Sequence, residues 1–199
     1  MAASPLLRME QLEAGYGAPV VGPVSLVLRP GEVVGLAGPN GAGKSTVLST
    51  LTGGARRFAG RVQIRDGAGI AYQAQTPYDG DELPLRGDEL LALMGVEPGR
   101  LPERLQALAG RRIDRLSGGQ RQSLLVWAVL GHSGELVLLD EPTNNLDAEG
   151  RDLLIEGLQR LEPHRGALVI SHDEAFIERV CHRTVSLDAR GRCGLAEAA

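Results

Sequence analysis

An α/β fold is what this chain of 199 residues predicts: a mostly parallel sheet with crossover helices and a small inserted helical lobe. Three observations carry that expectation. Short apolar runs alternate with helical patterns along most of the chain. A glycine-rich turn at Gly38–Gly43 stands between an apolar run and a helical one. From about Gln75 to Leu116 the apolar runs give way to helical patches separated by prolines and glycines.

In order along the chain, Val24 to Leu28 and Glu32 to Ala37 read as strands, punctuated by Arg29-Pro30-Gly31. Lys44 to Leu51 reads as a helix stopped by Gly53-Gly54, and Arg61 to Arg65 and Gly69 to Tyr72 read as short strands. Asp88 to Met94 and Leu101 to Ala109 are the helical patches of the lobe, expected to occupy about residues 76–130 of a single domain spanning residues 1–199. A helix from Gly118 to Leu130, a strand from Leu136 to Leu139, a helix from Ala148 to Leu161 and a strand from Ala167 to Ile170 follow. A helix beginning at Asp173 and a final strand, Thr184 to Leu187, complete the pattern.

Composition bounds the function. Hydrophobic residues make up 43% of the chain and charged ones 23%, enough apolar material for a core. The formal net charge of -4 argues against a chain that coats nucleic acid, and no nucleic-acid partner is expected. Cys181 and Cys193 form neither a CxxC spacing nor a disulfide framework, which points to a reducing cytosol. No apolar run approaches the roughly 18 residues of a membrane span. Residues Met1 to Glu10 lack a secretory pattern. A membrane partner would therefore bring its own spans. Of 21 lysines and arginines, Lys44 alone is a lysine.

Gly38-Pro39-Asn40-Gly41-Ala42-Gly43-Lys44-Ser45-Thr46 fits the phosphate-binding pattern G-x-x-x-x-G-K-[ST] at every fixed position. Its glycines let successive N–H groups turn toward one anion, and the helix that follows adds its positive end. Lys44 would hold the β- and γ-phosphates of ATP, and the Ser45 hydroxyl would ligate Mg²⁺. A compact ammonium kept where arginine serves everywhere else suggests that a planar guanidinium does not fit. Leu136-Val137-Leu138-Leu139-Asp140-Glu141 is a buried strand ending in two carboxylates. Ligands gather at the carboxyl ends of parallel strands, so Asp140 falls at the Mg²⁺ and Glu141 can orient or deprotonate the attacking water. Leu116-Ser117-Gly118-Gly119-Gln120 opens the next helix. Ser117 and Gln120 form a capping box, but two adjacent glycines weaken a helix and bare N–H groups for an anion. Both roles remain open for this segment.

In motif order, and over nearly its whole length, the chain resembles the ATP-binding-cassette (ABC) ATPases. That resemblance implies a P-loop NTPase core with an N-terminal antiparallel β portion, ATP and Mg²⁺ as cofactors, and ATP hydrolysis. It makes Ser117, Gly118, Gly119 and Gln120 the signature segment, which contacts ATP held by a second subunit. It assigns Tyr16 to stacking on adenine and Gln75 to linking Mg²⁺ and water with the lobe, Gln73 being the rival for that task. His172 becomes a γ-phosphate sensor, and Asn144-Asn145-Leu146-Asp147 an interface loop through Asn145 and Asp147, although Asp147 is also a natural helix N-cap. Glu141, His172 and Gln75 are thus the expected catalytic residues, and Ser45, Gln75 and Asp140 the expected Mg²⁺ ligands. His132, His164 and the Cys181-His182 pair read as surface or packing residues. The chain departs from the family where Ala128 replaces a usual arginine, with Trp127 beside it.

Within that family, the energising subunit of a membrane transporter is the favoured reading. It implies a homodimer on ATP binding, separate integral membrane permease subunits, a substrate-binding protein, and a place on the cytoplasmic face of the membrane. Asp81-Glu82-Leu83-Pro84-Leu85 is similar to the cassettes of zinc and manganese importers. Glu141 to Asp147 and Ser171 to Ile177 are similar to soluble translation-type cassette proteins, the alternative, which carry two cassettes per chain. A chromosome-type ATPase would need a long coiled coil that the 75–116 segment cannot hold. No C-terminal regulatory domain is expected after the last strand.

Overall fold

The computed structural model describes residues 4–75 and 85–193. Five parallel strands form the main sheet: β3 (Val33–Ala37), β5 (Ile70–Gln73), β6 (Leu136–Asp140), β7 (Gly166–Ile170) and β8 (Arg183–Ser186), in the order β5-β6-β7-β3-β8. Three antiparallel strands form a second sheet: β1 (Leu7–Gly15) lies between β2 (Pro19–Leu28) and β4 (Arg56–Ile64). The helices are α1 (Lys44–Leu51), α2 (Gly87–Leu93), α3 (Glu103–Ala109), α4 (Gly118–Gly131), α5 (Ala148–Gln159) and α6 (Glu174–Val180).

The period-two geometry of a strand sorts the core into layers. Leu136 and Leu138 of β6 join Leu7, Met9, Leu26, Val47 and Leu48 in a cluster between the two sheets. Val137 and Leu139 face the other way and join Val126, Ile155, Leu158, Phe176 and Val180, so α4, α5 and α6 cover that face. Burial on both faces explains why β6 reads as a continuous apolar run. The lobe has its own cluster, Leu91, Leu101, Leu105, Leu108, Leu116, Leu124 and Ala128, and α4 contributes one face to it and another to the main core.

Three strands differ from the sequence reading. No strand was expected over Leu7–Gly15, β2 begins at Pro19, ahead of the expected Val24, and β4 begins at Arg56, ahead of the expected Arg61. In β1 the alternation that marks a half-buried strand is broken. Gln11 adopts φ 49°, and the pairing with β2 shifts register between Met9 and Leu12. The extra residue is a bulge, which moves Leu12 back to the core face. At the departure noted for Trp127 and Ala128, Ala128 is buried in the lobe cluster. A Cβ added at Gly157 would lie 3.1 Å from the Trp127 ring, so a glycine inside α5 makes room for the indole.

Candidate functional site

The turn between β3 and α1 wraps through three glycines of positive φ, Gly38, Gly41 and Gly43. Gly43, with φ 86°, could not carry a side chain: its Cβ would stand 2.6 Å from Cβ of Val21. Strand β2 thus presses the loop from behind. Lys44 Nζ donates to the carbonyls of Gly38 (2.8 Å) and Pro39 (3.1 Å), which holds the ammonium over the loop. A cavity of about 420 Å³ opens here, lined by Asn40, Gly41, Gly43, Lys44, Ser45, Thr46, Gln75 and Glu141, with Val20 and Ile170. Pro39 and Ala42 complete the loop, and Ala42 is buried. A groove of about 590 Å³ against Trp127 and Leu130 is larger but holds no glycine-rich turn, so volume does not mark the site.

Asp140 ends β6 and is 1% exposed. Its Oδ1 has no hydrogen-bond partner among the described residues. Desolvation is the largest influence on the Asp140 carboxyl and holds it above the usual carboxylate range, with Glu141 adding to the rise and Ser45 and Lys44 opposing it. An orphaned, buried carboxylate oxygen beside a serine hydroxyl is a hard-oxygen donor set that fits Mg²⁺ completed by phosphate oxygens and water. Glu141 follows with φ 52°, rare for a residue with a Cβ. Its N–H donates to the Ile170 carbonyl, and its Oε2 lies 2.8 Å from His172 Nδ1 and accepts from the His172 N–H. The glutamate is enclosed, while the His172 side chain is 69% exposed. Thr143 and Ser171, joined through their hydroxyls at 3.1 Å, tie together the loops that carry Glu141 and His172.

Tyr16 stands on the turn between β1 and β2 and is 62% exposed. Burial, then the charge of Asp140, then Tyr16, push the Tyr72 phenol above its ordinary range. Of the two candidate glutamines, Gln75 is exposed and lines the loop cavity. Gln73 is buried on β5.

The segment Ser117–Gln120 lies elsewhere. Ser117 caps α4: its Oγ accepts from the Gln120 N–H, and Gln120 Oε1 accepts from the Ser117 N–H. Gly119 is where the glycine is required, because a Cβ would meet the Asn145 carbonyl oxygen at 2.6 Å. Asn145 itself adopts φ 63°. Asp147 caps α5 through Oδ1 to the Gly150 N–H at 2.7 Å, and that bond, more than its Arg104 partner, holds its carboxyl below the usual range. Ser117, Gly119, Gln120, Asn145 and Asp147 line a second cavity of about 390 Å³. Gly118 has open space beside it.

Sequence reasoning missed Arg104, which pairs from α3 with Asp147 (3.1 Å) and with Glu149. An isolated arginine in a helical patch carries no signal for that contact. His132 and His182 accept from the Gly134 and Val33 N–H groups, a packing role. Asp81, Glu82, Leu83 and Pro84 lie outside the described residues. Among the described residues no helix is long and apolar enough to cross a membrane.

Residues 21–144 match the family model described as ABC transporter. The chain is 32% identical over 197 residues to the zinc import ATP-binding protein ZnuC of Marinobacter nauticus, covering 95% of this chain and 77% of that one. It is 36% identical over 188 residues to the probable ATP-binding protein YheS of Escherichia coli, covering 87% of this chain but 28% of that longer protein. The solved ATP-binding subunit of an ABC transporter superposes with a TM-score of 0.82 at 28% identity, over 94% of this chain and 88% of the other.

Proposed function

Because the chain belongs to the ABC transporter family of ATP-binding domains, we propose that it hydrolyses MgATP at the loop cavity to drive transport through membrane subunits carried on separate chains. The observation that carries the chemistry is the meeting of Lys44, Ser45, Gln75 and Glu141 in one cavity at the carboxyl ends of β3 and β6. The loop N–H groups and the α1 N-terminus would cradle the phosphates, with Lys44 neutralising the β- and γ-groups. Ser45, Asp140 and Gln75 would hold Mg²⁺, which supplies charge neutralisation on the phosphate oxygens when bound. Glu141 accepts the proton of the attacking water or orients it. His172, whose Nδ1 lies 2.8 Å from Glu141 Oε2, would turn Nε2 toward the γ-phosphate, and Tyr16 would stack on adenine.

Lys44 provides the test, because an amine-selective reagent meets only the Lys44 ε-amine and the chain's α-amine. Saturating MgATP should block Lys44 and leave the α-amine unchanged, as read by mass spectrometry. Equal labelling of Lys44 with and without nucleotide would remove the site.

A role in zinc import is proposed from the likeness to ZnuC, and the similarity of Glu141 to Asp147 and Ser171 to Ile177 to translation-type cassettes favours a second reading, a soluble cassette not coupled to transport. Detergent extraction of the native membrane separates them. Co-purification with an integral membrane protein supports the transporter, and recovery wholly in the soluble fraction supports the second reading.

A further inference from the structure

Gln73 is a polar residue in a place built for an apolar one. It is 7% exposed, on a strand whose other members are Ile70, Ala71 and Tyr72. Its register partner is Leu139. It therefore shares the sheet face of Ala71, Val137 and Leu139, covered by α4 and α5, and turns away from the face that Asp140 shares with Leu138. Direct work on the Asp140 side is excluded by that geometry. Gln73 Oε1 is buried without a hydrogen-bond partner among the described residues, a cost that a leucine or methionine here would not carry. Among the described residues its Nε2 makes one bond, donating at 2.6 Å to the carbonyl of Ala74, the residue that joins β5 to Gln75.

We propose that Gln73 is a positioning residue for Gln75: its side-chain amide fixes the Ala74 carbonyl, and so the direction in which the chain leaves β5 and delivers Gln75 to the loop cavity. The unpartnered oxygen is the cost of keeping that donor inside the core. This rests on the proposed ATPase reading, in which Gln75 acts at the Mg²⁺ and the attacking water. Misplacing such a group by a fraction of an ångström lowers turnover without touching the groove that binds the nucleotide.

The test uses Gln73→Met, which keeps volume and loses both polar atoms. Turnover should fall about tenfold, while affinity for a fluorescent ATP analogue stays unchanged and the melting temperature stays at or above that of the parent. Gln73→Asn, too short to reach the Ala74 carbonyl, should lose turnover in the same way. In a Gln75→Ala background Gln73→Met should cause no further loss, because the two residues act as one unit. Parental turnover in Gln73→Met, an additive loss in the double variant, or a melting temperature well below the parent would each overturn the inference. An inactive parent chain would sink the ATPase reading itself, and this inference with it.

Discussion

Asp140 shows what the site costs at the scale of one residue. Its carboxylate is buried, shares its surroundings with a second carboxylate, and leaves one oxygen unpartnered. A group in that state opposes folding, which marks it as a candidate for binding rather than stability. Asp140→Asn should therefore raise thermal stability at neutral pH, by about 1 kcal/mol, while turnover that depends on Mg²⁺ collapses. Calorimetry and a phosphate-release assay on the same sample check both halves, and a less stable variant would show that the carboxylate serves the fold. Glu141 makes the complementary case. It touches His172 and the β7 end and makes no bond to the phosphate loop among the described residues. Glu141→Gln should bind MgATP with parental affinity and lose turnover by at least about 100-fold. Near-parental turnover in this variant would remove Glu141 from the chemistry.

At the scale of elements, α4 separates glycines that look alike in sequence. Gly119 lies under the Asn145 carbonyl, whereas Gly118 has open space beside it. Gly119→Ala should cost about 1–3 kcal/mol by forcing the Asn145 loop away. Gly118→Ala should be neutral or stabilising by up to about 1 kcal/mol. Chemical denaturation of the two variants tests the pair, and equal effects would mean that Asn145 does not press on α4. The Arg104 pairing with Asp147 and Glu149 is solvent-exposed, so Arg104→Ala should leave the denaturation midpoint close to that of the parent. Much of this architecture was legible. The glycine-rich turn before α1, β6 with its terminal carboxylates, and the capped starts of α4 and α5 are local patterns, and the sequence displays local patterns openly. β1 was not legible, because its bulge at Gln11 breaks the two-residue period that identifies a strand. The contact of Gly119 with Asn145 and the enclosure of Gln73 were hidden for another reason. Each depends on which element packs across from it, and a chain read in order does not display that.

For the whole molecule, the decisive fact is that its two anion-suited helix starts do not meet. The cavity at Lys44 and the cavity at Ser117–Gln120 share no lining residue. A γ-phosphate held by Lys44 therefore gains nothing from Ser117 of the same chain. A second copy related by a twofold axis would bring the Ser117 segment of each chain to the Lys44 loop of the other, giving two equivalent sites and a closed, self-complementary interface. Such an interface would be assembled by the nucleotide, because the ATP phosphates would supply the charge that both helix starts face. It should also be lost on hydrolysis, when the γ-phosphate leaves. The Glu141→Gln protein should thus sediment as a monomer without nucleotide, as a dimer with MgATP, and as a monomer again with MgADP. Two controls separate this from adventitious association. Lys44→Ala should abolish the ATP-dependent dimer by removing the anchor on one side of the phosphate. Ser117→Arg should abolish it from the other side, with MgATP binding by each monomer intact, since Ser117 lies outside the Lys44 cavity. A dimer that forms equally well without ATP, or one that survives Ser117→Arg, would show that the chains associate through some other face.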